Sequence, residues 1–179
     1  PSTDGKGSHG DRDLYVSFRV SHDTFSLPIN LGPVVNSTGQ EATPFLAADN
    51  TSLYFASDRS GGFGEFDIYV TRRLDSTWTN WSEPENLGPT INTDDWDLAY
   101  TIPADGKYAY FVSYTNSLGG ADIFQVKLPE KVRPKPVVLL AGRVVDKKSG
   151  KPVEAEIVYE NLATGIELGR ARSTPASGE

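Results

Sequence analysis

An internal repeat with a period of 56 residues constrains this chain more than any other feature of its sequence. Residues 30–36, NLGPVVN, recur as residues 86–92, NLGPTIN. The same offset relates residues 53–57, LYFAS, to residues 109–113, AYFVS. Each copy of such a repeat is one supersecondary unit that buries its apolar face against its neighbours, so the period predicts an array of similar units.

Each period contains four short candidate strands bounded by turn residues. Asp49 and Asn50 separate the first two strands, and Asp105 and Gly106 take their place one period later, which is a hairpin signal. No stretch follows the helical period of 3.6 over a useful length. Four strands per unit is typical of a β-propeller blade, so an all-β fold is predicted. The predicted strands of the complete period are residues 42–47, 52–57, 66–72 and 81–87.

The number of repeats predicts only part of a propeller. Residues 13–31 hold the last two strands of one blade, residues 42–87 a whole blade, and residues 98–128 the first three strands of another. Because a propeller needs about four to eight blades to close, residues 1–128 are expected to form a partial β-propeller of four-stranded antiparallel blades, with blade boundaries near 42 and 98.

The repeat motif resembles a known family. Residues 53–69, LYFASDRSGGFGEFDIY, followed by Trp81, Pro84 and NLG at residues 86–88, resemble the WD40-like, TolB-type propeller repeat of OmpA-family envelope proteins. The resemblance covers about residues 11–128. In the third copy, YTN at residues 114–116 replaces the DRS of the second copy, and no NLG segment follows. This departure suits a terminal blade whose outer strand comes from elsewhere.

A second domain is predicted after a linker. Residues 129–136 are rich in Pro and charge, which predicts a stiff, extended linker. Residues 142–153, GRVVDKKSGKPV, followed by residues 157–159, predict a strand, a tight turn and a strand. They resemble the start of the carboxypeptidase regulatory-like, prealbumin-type β-sandwich. Residues 137–179 are therefore expected to form an incomplete module of that type.

The order of the two domains also resembles a family. A propeller followed by this module is similar to the PorE-like envelope lipoproteins associated with type IX secretion. The resemblance implies a periplasmic, outer-membrane-associated protein that contacts other envelope or secretion-system proteins. It also implies that the parent protein binds peptidoglycan through an OmpA-like domain, to which no residue of this sequence is assigned.

Composition excludes several function classes. The net charge is −7 with no cluster of Lys and Arg, which argues against nucleic acid as a partner. The longest apolar run, residues 137–141, is far shorter than the roughly 20 residues of a membrane-spanning helix. The absence of Cys excludes disulfides and thiolate nucleophiles.

No catalytic motif is recognisable in the sequence. The two histidines, His9 and His22, both precede the first complete blade and are interpreted as exposed polar residues. The leading hypothesis is therefore a non-enzymatic interaction scaffold that needs no cofactor.

Two acidic residues at matching positions leave alternatives open. Asp97 belongs to the densest acidic group of the chain, and Glu41 occupies its place one period earlier. Both positions precede the first strand of a blade, near the axial mouth of the predicted propeller. Their carboxylates either cap the turn, or bind calcium, a glycan or another small ligand, or serve a hydrolase.

The other candidate residues concern partners and turns. Arg59 is expected to contact a partner or to form a surface ion pair of little stabilising value. Trp96, next to Asp95, has no tryptophan one period earlier and is the best candidate for an interaction hot spot, whereas the motif residue Trp81 is expected to pack inside. An aspartate also recurs before the third strand of each blade, where it is expected to accept N–H bonds from the preceding turn. These aspartates are Asp13, Asp67 and Asp122.

Overall fold

The chain divides into two compact units, Pro1–Val137 and Val138–Glu179. Across the described residues the secondary structure consists of short strands and turns, with a single 3-10 turn at Glu130–Val132. None of the helical structure in this part of the chain is long and apolar enough to cross a bilayer. The fold is all-β, as the repeat predicted. The computed structural model describes residues 7–103, 106–128, 130–135, 137, 141–162 and 164–179.

The first unit consists of small antiparallel sheets. The largest has four strands in the order β5-β6-β7-β8, and a second has three in the order β11-β10-β9. β1 pairs with β4, and β2 with β3. In chain order the strands are β1 (Tyr15–Val16), β2 (Arg19–Ser21), β3 (Thr24–Phe25), β4 (Ile29–Asn30), β5 (Glu41–Leu46), β6 (Ser52–Ser57), β7 (Asp67–Arg72), β8 (Glu85–Asn86), β9 (Asp97–Thr101), β10 (Tyr108–Ser113) and β11 (Asp122–Lys127).

These strands confirm most of the predicted elements. The four predicted strands of the complete repeat are present, although the last is reduced to β8, with Trp81 bridging to Arg73 beside it. The three strands expected in residues 98–128 and the two in residues 13–31 are also present. The hairpin β2–β3, inserted between β1 and β4, was not predicted. Asp105 of the matching turn lies outside the described residues.

The same β-bulge recurs in consecutive repeats. Thr43 in β5 and Ala99 in β9 stand one period apart, and both have left-handed backbone angles, with φ of 42° and 54°. The pairing register shifts at both places. The backbone N–H of Ala99 donates to the Thr43 hydroxyl over 3.0 Å. The first strands of the second and third repeats therefore lie side by side at their bulges.

The four-stranded sheet is buried on both faces. Alternate residues of β6 point to opposite sides, so Tyr54 packs in one apolar cluster with Ile68 and Tyr100, while Phe55 packs in another with Trp81. Trp81 is 3% exposed, which confirms its predicted packing. Burial on both faces explains why β6 and β7 read as nearly continuous apolar runs rather than as alternating strands.

The segment predicted as a linker is not extended throughout. Within residues 129–136, Glu130–Val132 forms the 3-10 turn, and Val132 is buried in the cluster that contains Tyr54. The Tyr54 hydroxyl donates to the Val132 carbonyl. Burial of an apolar side chain on the sheet has outweighed the extended preference of the surrounding prolines. Pro129 and Pro136, at the two ends of the segment, lie outside the described residues.

Alkaline pH is expected to destabilise the first unit through Tyr54. Burial raises the pKa of Tyr54 to about 12 from an ordinary value of 10.0, while Arg72 opposes the shift. Because the folded-state pKa is the higher one, this stabilisation is complete below pH 10 and is lost as the pH rises towards 12. Unfolding by urea, followed at increasing pH, should show this loss.

Two tyrosine variants provide the control for the alkaline loss. Tyr54→Phe should lose stability less steeply with pH, with some slope left because burial also raises the pKa of Tyr100. Tyr108→Phe, in a ring that is 43% exposed, should behave as the parent protein does. Identical pH profiles for Tyr54→Phe and the parent would contradict this account.

The second unit contains one hairpin, β12 (Glu156–Glu160) paired with β13 (Glu167–Arg172). The strands predicted on either side of the turn in residues 142–153 are confirmed only in part. Next to the turn they reduce to a single bridge between Val145 and Pro152, whereas residues 157–159 lie in β12. The predicted turn itself is present. Asp146 Oδ1 accepts the Ser149 N–H there over 2.8 Å, so a side chain holds the turn where few backbone pairs between strands do.

Candidate functional site

The recurring aspartates bind the turns that precede them, as predicted. Asp67 accepts the N–H groups of Phe63 at 2.5 Å and Gly64 at 3.3 Å. Asp13 accepts those of two residues in the corresponding turn, and Asp122 accepts the Leu118 N–H at 2.7 Å. These carboxylates therefore fix the loop before the third strand of each repeat.

A buried asparagine, Asn92, forms hydrogen bonds to the backbone near the start of β7. Asn92 is 2% exposed, and its Oδ1 accepts the Ile68 N–H over 2.8 Å while its Nδ2 donates to the Ile68 carbonyl over 2.9 Å. Nδ2 also donates to Asn86 Oδ1 over 2.7 Å. Asn86 in turn donates to Asp67 over 2.8 Å. The amide of Asn92 thus bonds both backbone polar groups of Ile68, whose carbonyl also accepts the Leu87 N–H over 3.0 Å.

The preceding repeat contains the same network at equivalent positions. Asn36 accepts the Leu14 N–H over 2.8 Å and donates to the Leu14 carbonyl over 3.0 Å. It also donates to Asn30, which donates to Asp13 over 2.7 Å. The NLGPxxN segment recurs in the sequence, but its pattern alone predicts no role for its asparagines. The signal in the sequence was that the same polar residues, the asparagines, recur among apolar ones in both copies of this segment.

Glu41 lies at the start of β5 and is fully buried. Its Oε1 accepts hydrogen bonds from the hydroxyls of Ser37 at 2.7 Å and Ser57 at 2.8 Å. The Arg59 guanidinium reaches the same oxygen at 3.3 Å. The bond from Ser37 ties the preceding turn to the strand, which supports the capping alternative for this residue.

Arg59 is more buried than the sequence suggested. Only 15% of its side chain is exposed, and its partner Glu41 is inaccessible, so the expected surface ion pair is in fact a buried one. The guanidinium lies 5.1 Å from the ring centroids of both Phe55 and Tyr69. It also donates to the Val35 carbonyl. Arg59 therefore joins charge pairing and cation–π contact at one place.

Asp97 occupies the corresponding place at the start of β9 and is also fully buried. Its Oδ2 accepts the backbone N–H and the hydroxyl of Thr93 at 2.6 and 2.9 Å. Its Oδ1 has no hydrogen-bond partner among the described residues. Thr115 stands where the previous repeat has Arg59, so no cation of the same repeat reaches this carboxylate from that position.

Trp96 and Asp95 lie beside this carboxylate in the chain. Trp96 is 42% exposed and contacts the rings of Phe66 and Tyr114, with centroids 5.2 and 6.3 Å away. Asp95 accepts the backbone N–H of Trp96 over 2.8 Å. An exposed tryptophan held by two other aromatic rings is a suitable contact surface, and its role in binding a partner stays a prediction.

The residues considered for catalysis or metal binding do not form a cluster in the described parts of the chain. His22 is exposed and contacts its neighbour Asp23 at 2.6 Å. Within the described residues, no three His, Asp or Glu side chains gather closely enough to hold a metal ion. Both repeated carboxylates are instead engaged by the hydroxyl of the residue four positions earlier.

Comparisons with family models, with curated proteins and with solved structures found no match to this chain. The arrangement of buried polar and charged side chains within the repeats is therefore the basis on which a function can be proposed. That arrangement consists of buried polar clamps inside each repeat, a buried cation in one repeat, and a buried carboxylate without that cation in the next.

Proposed function

We propose that this chain is part of a β-propeller that serves as a non-enzymatic scaffold for other proteins of the cell envelope. The observation that supports this proposal most is the recurrence of one buried network in consecutive repeats. Asn36 and Asn92 clamp equivalent residues with nearly identical distances. Such polar networks specify one packing arrangement, which suits a structural array of similar blades.

The burial of the four-stranded sheet supports its assignment as a blade. Both faces of β6 and β7 are covered by apolar side chains, as they are when blades pack face to face around an axis. β5 and β9, the first strands of consecutive repeats, meet through the bond between Ala99 and Thr43. In the proposed propeller these two strands face the axis. Residues 137–179 are proposed to begin a prealbumin-like β-sandwich.

An exposed apolar region in the first repeat supports a role in protein contacts. The hairpin β2–β3 and its flanks expose large apolar side chains that a monomer would ordinarily bury, among them Leu27, which is 87% exposed. Exposed patches of this kind mark protein interaction sites. The residues of this region are Tyr15, Phe18, Val20, Phe25, Leu27 and Ile29.

The location in the envelope follows from the resemblance of the repeat to WD40-like repeats of OmpA-family proteins. We propose a periplasmic, outer-membrane-associated protein of the type IX secretion kind, whose parent polypeptide reaches peptidoglycan through a domain outside this sequence. The acidic surface is compatible with any partner that is not itself strongly acidic.

The test is the location and native mass of the tagged polypeptide in its own cells. After gentle solubilisation, the scaffold should fractionate with the outer membrane and migrate in a complex larger than the polypeptide alone. Deleting residues 17–27, which include the exposed hairpin, should reduce that mass if the hairpin contacts a partner. A polypeptide that is monomeric and free of the envelope fraction would contradict the proposal.

A further inference from the structure

The second repeat shows what a buried carboxylate at the start of a first strand is paired with. Glu41 receives the guanidinium of Arg59 at 3.3 Å, and that guanidinium is packed against two aromatic rings. The rings, Phe55 and Tyr69, are stacked with centroids 6.1 Å apart and planes at 28°. Carboxylate, guanidinium and ring pair form one unit in which the cation belongs to the chain itself.

The third repeat has an equivalent pair of stacked aromatic rings, but Thr115 stands at the position of Arg59. Phe111 and Phe124 take the places of Phe55 and Tyr69, stacked with centroids 5.8 Å apart and planes again at 28°. The backbone also matches, because the Thr115 N–H donates to Ser113 Oγ over 3.3 Å. In the second repeat the N–H of Arg59 donates to Ser57 Oγ over 3.2 Å.

What the third repeat lacks is the cation. Thr115 carries no charge, and Asp97 Oδ1 has no hydrogen-bond partner within the described part of the chain. Glu41 Oε2 also lacks a partner there, so the two repeats differ in the guanidinium beside the carboxylate and not in the unpartnered oxygen. A buried carboxylate oxygen without a partner is rare in folded proteins, because water can no longer solvate it. The position filled by the Arg59 side chain in one repeat is thus not filled in the same way in the next.

We propose that the third repeat binds a guanidinium group supplied by another protein, in practice an arginine side chain of a bound partner. The group would lie against Phe111 and Phe124 and donate to Asp97 Oδ1. A guanidinium is favoured over an ammonium ion because it is planar, less strongly hydrated and stacks on aromatic faces, as Arg59 does. This proposal rests on the proposed scaffold function, because it defines what part of a partner is recognised.

The surface around Asp97 is suited to receiving such a chain. Trp96 and Tyr114 stand next to Asp97 and Thr115 and are 42% and 44% exposed. They offer aromatic area to the residues that flank the incoming arginine. Because Asp97 itself is fully buried, an arginine reaches it only if the residues around it move.

The experiment measures binding of a blocked tripeptide, acetyl-Gly-Arg-Gly-amide, to the 179-residue chain by NMR titration. The control peptide contains citrulline, which has the same shape without the charge. Because hydrogen bonds between charged groups are the strong ones, the arginine peptide should bind at least about tenfold more tightly. Equal binding of the two peptides would overturn the proposal.

Three variants locate the site. Asp97→Asn should abolish the preference for arginine, and Asp23→Asn, which removes the same charge from an exposed position, should leave the preference intact. Thr115→Arg supplies the cation within the chain, so it should raise the melting temperature and block the peptide. If Asp97→Asn fails to fold, Thr115→Arg alone decides, and unchanged melting with unchanged peptide binding would overturn the proposal.

Failure of this site is distinguishable from failure of the scaffold. A tagged polypeptide that stays in its envelope complex, together with a chain that does not discriminate arginine from citrulline, would remove the arginine site and leave the scaffold. A polypeptide found alone outside the envelope would remove the scaffold whatever the peptides do.

Discussion

Replacing Arg59 by methionine is expected to lower the free energy of unfolding by about 3–5 kcal/mol, because it leaves the Glu41 carboxylate buried without its cation. Methionine retains much of the apolar stem, so its packing between Phe55 and Tyr69 is largely preserved. The loss should therefore come mainly from the missing charge and its hydrogen bonds. Urea unfolding followed by tryptophan fluorescence measures it.

Two further variants isolate the cause. Glu41→Gln combined with Arg59→Met removes both charges and should recover a large part of the stability, because no unpaired charge then remains buried. Thr115→Met, at the equivalent position of the third repeat, removes no cation and should have a much smaller effect. A loss below about 1 kcal/mol for Arg59→Met is the value of a surface pair and would contradict the buried interaction.

Replacing Asn92 by alanine is expected to lower the free energy of unfolding by about 1–3 kcal/mol. The substitution leaves the N–H of the fully buried Ile68 without its partner, whereas the Ile68 carbonyl keeps the hydrogen bond from the Leu87 N–H at 3.0 Å. Asn80→Ala is the matched control, because the Asn80 side chain makes an exposed bond to Asp75. Its effect should stay within about 0.5 kcal/mol.

Hydrogen exchange gives this prediction a local readout. The amide of Ile68 should exchange much faster in Asn92→Ala than in the parent, whereas the amide of Leu14, held by Asn36 in the preceding repeat, should change little. Equal protection of the Ile68 amide in the variant and the parent would show that Asn92 does not satisfy this group.

Much of the all-β fold could be predicted because the repeat duplicates local signals. A single apolar run such as residues 52–57 is ambiguous between strand and helix, but the same run one period later, between the same turns, indicates a strand. The aspartate that accepts turn N–H groups could be predicted in the same way. Asp67 follows a Gly-rich turn, and such turns expose N–H groups that a nearby carboxylate binds.

The features that could not be predicted depend on contacts between distant residues. Asn92 and Ile68 are far apart in the sequence, and no local pattern shows that a side-chain amide will bond both backbone groups of a strand residue. The burial of Arg59 likewise depends on Phe55, Tyr69 and the Val35 carbonyl converging on it. The extended linker predicted for residues 129–136 was wrong in part for the same reason, because Val132 is buried in the cluster that contains Tyr54.

The most direct test of the account is an experimental structure of the polypeptide isolated from its own cells. We expect the sheet β5-β6-β7-β8 and the sheet of β9, β10 and β11 to be consecutive blades of a closed ring. β5 and β9 should face the axis, and a partner's arginine should lie beside Asp97. Sheets stacked without a common axis, or a ring whose Asp97 meets no cation, would contradict the propeller and the arginine site respectively.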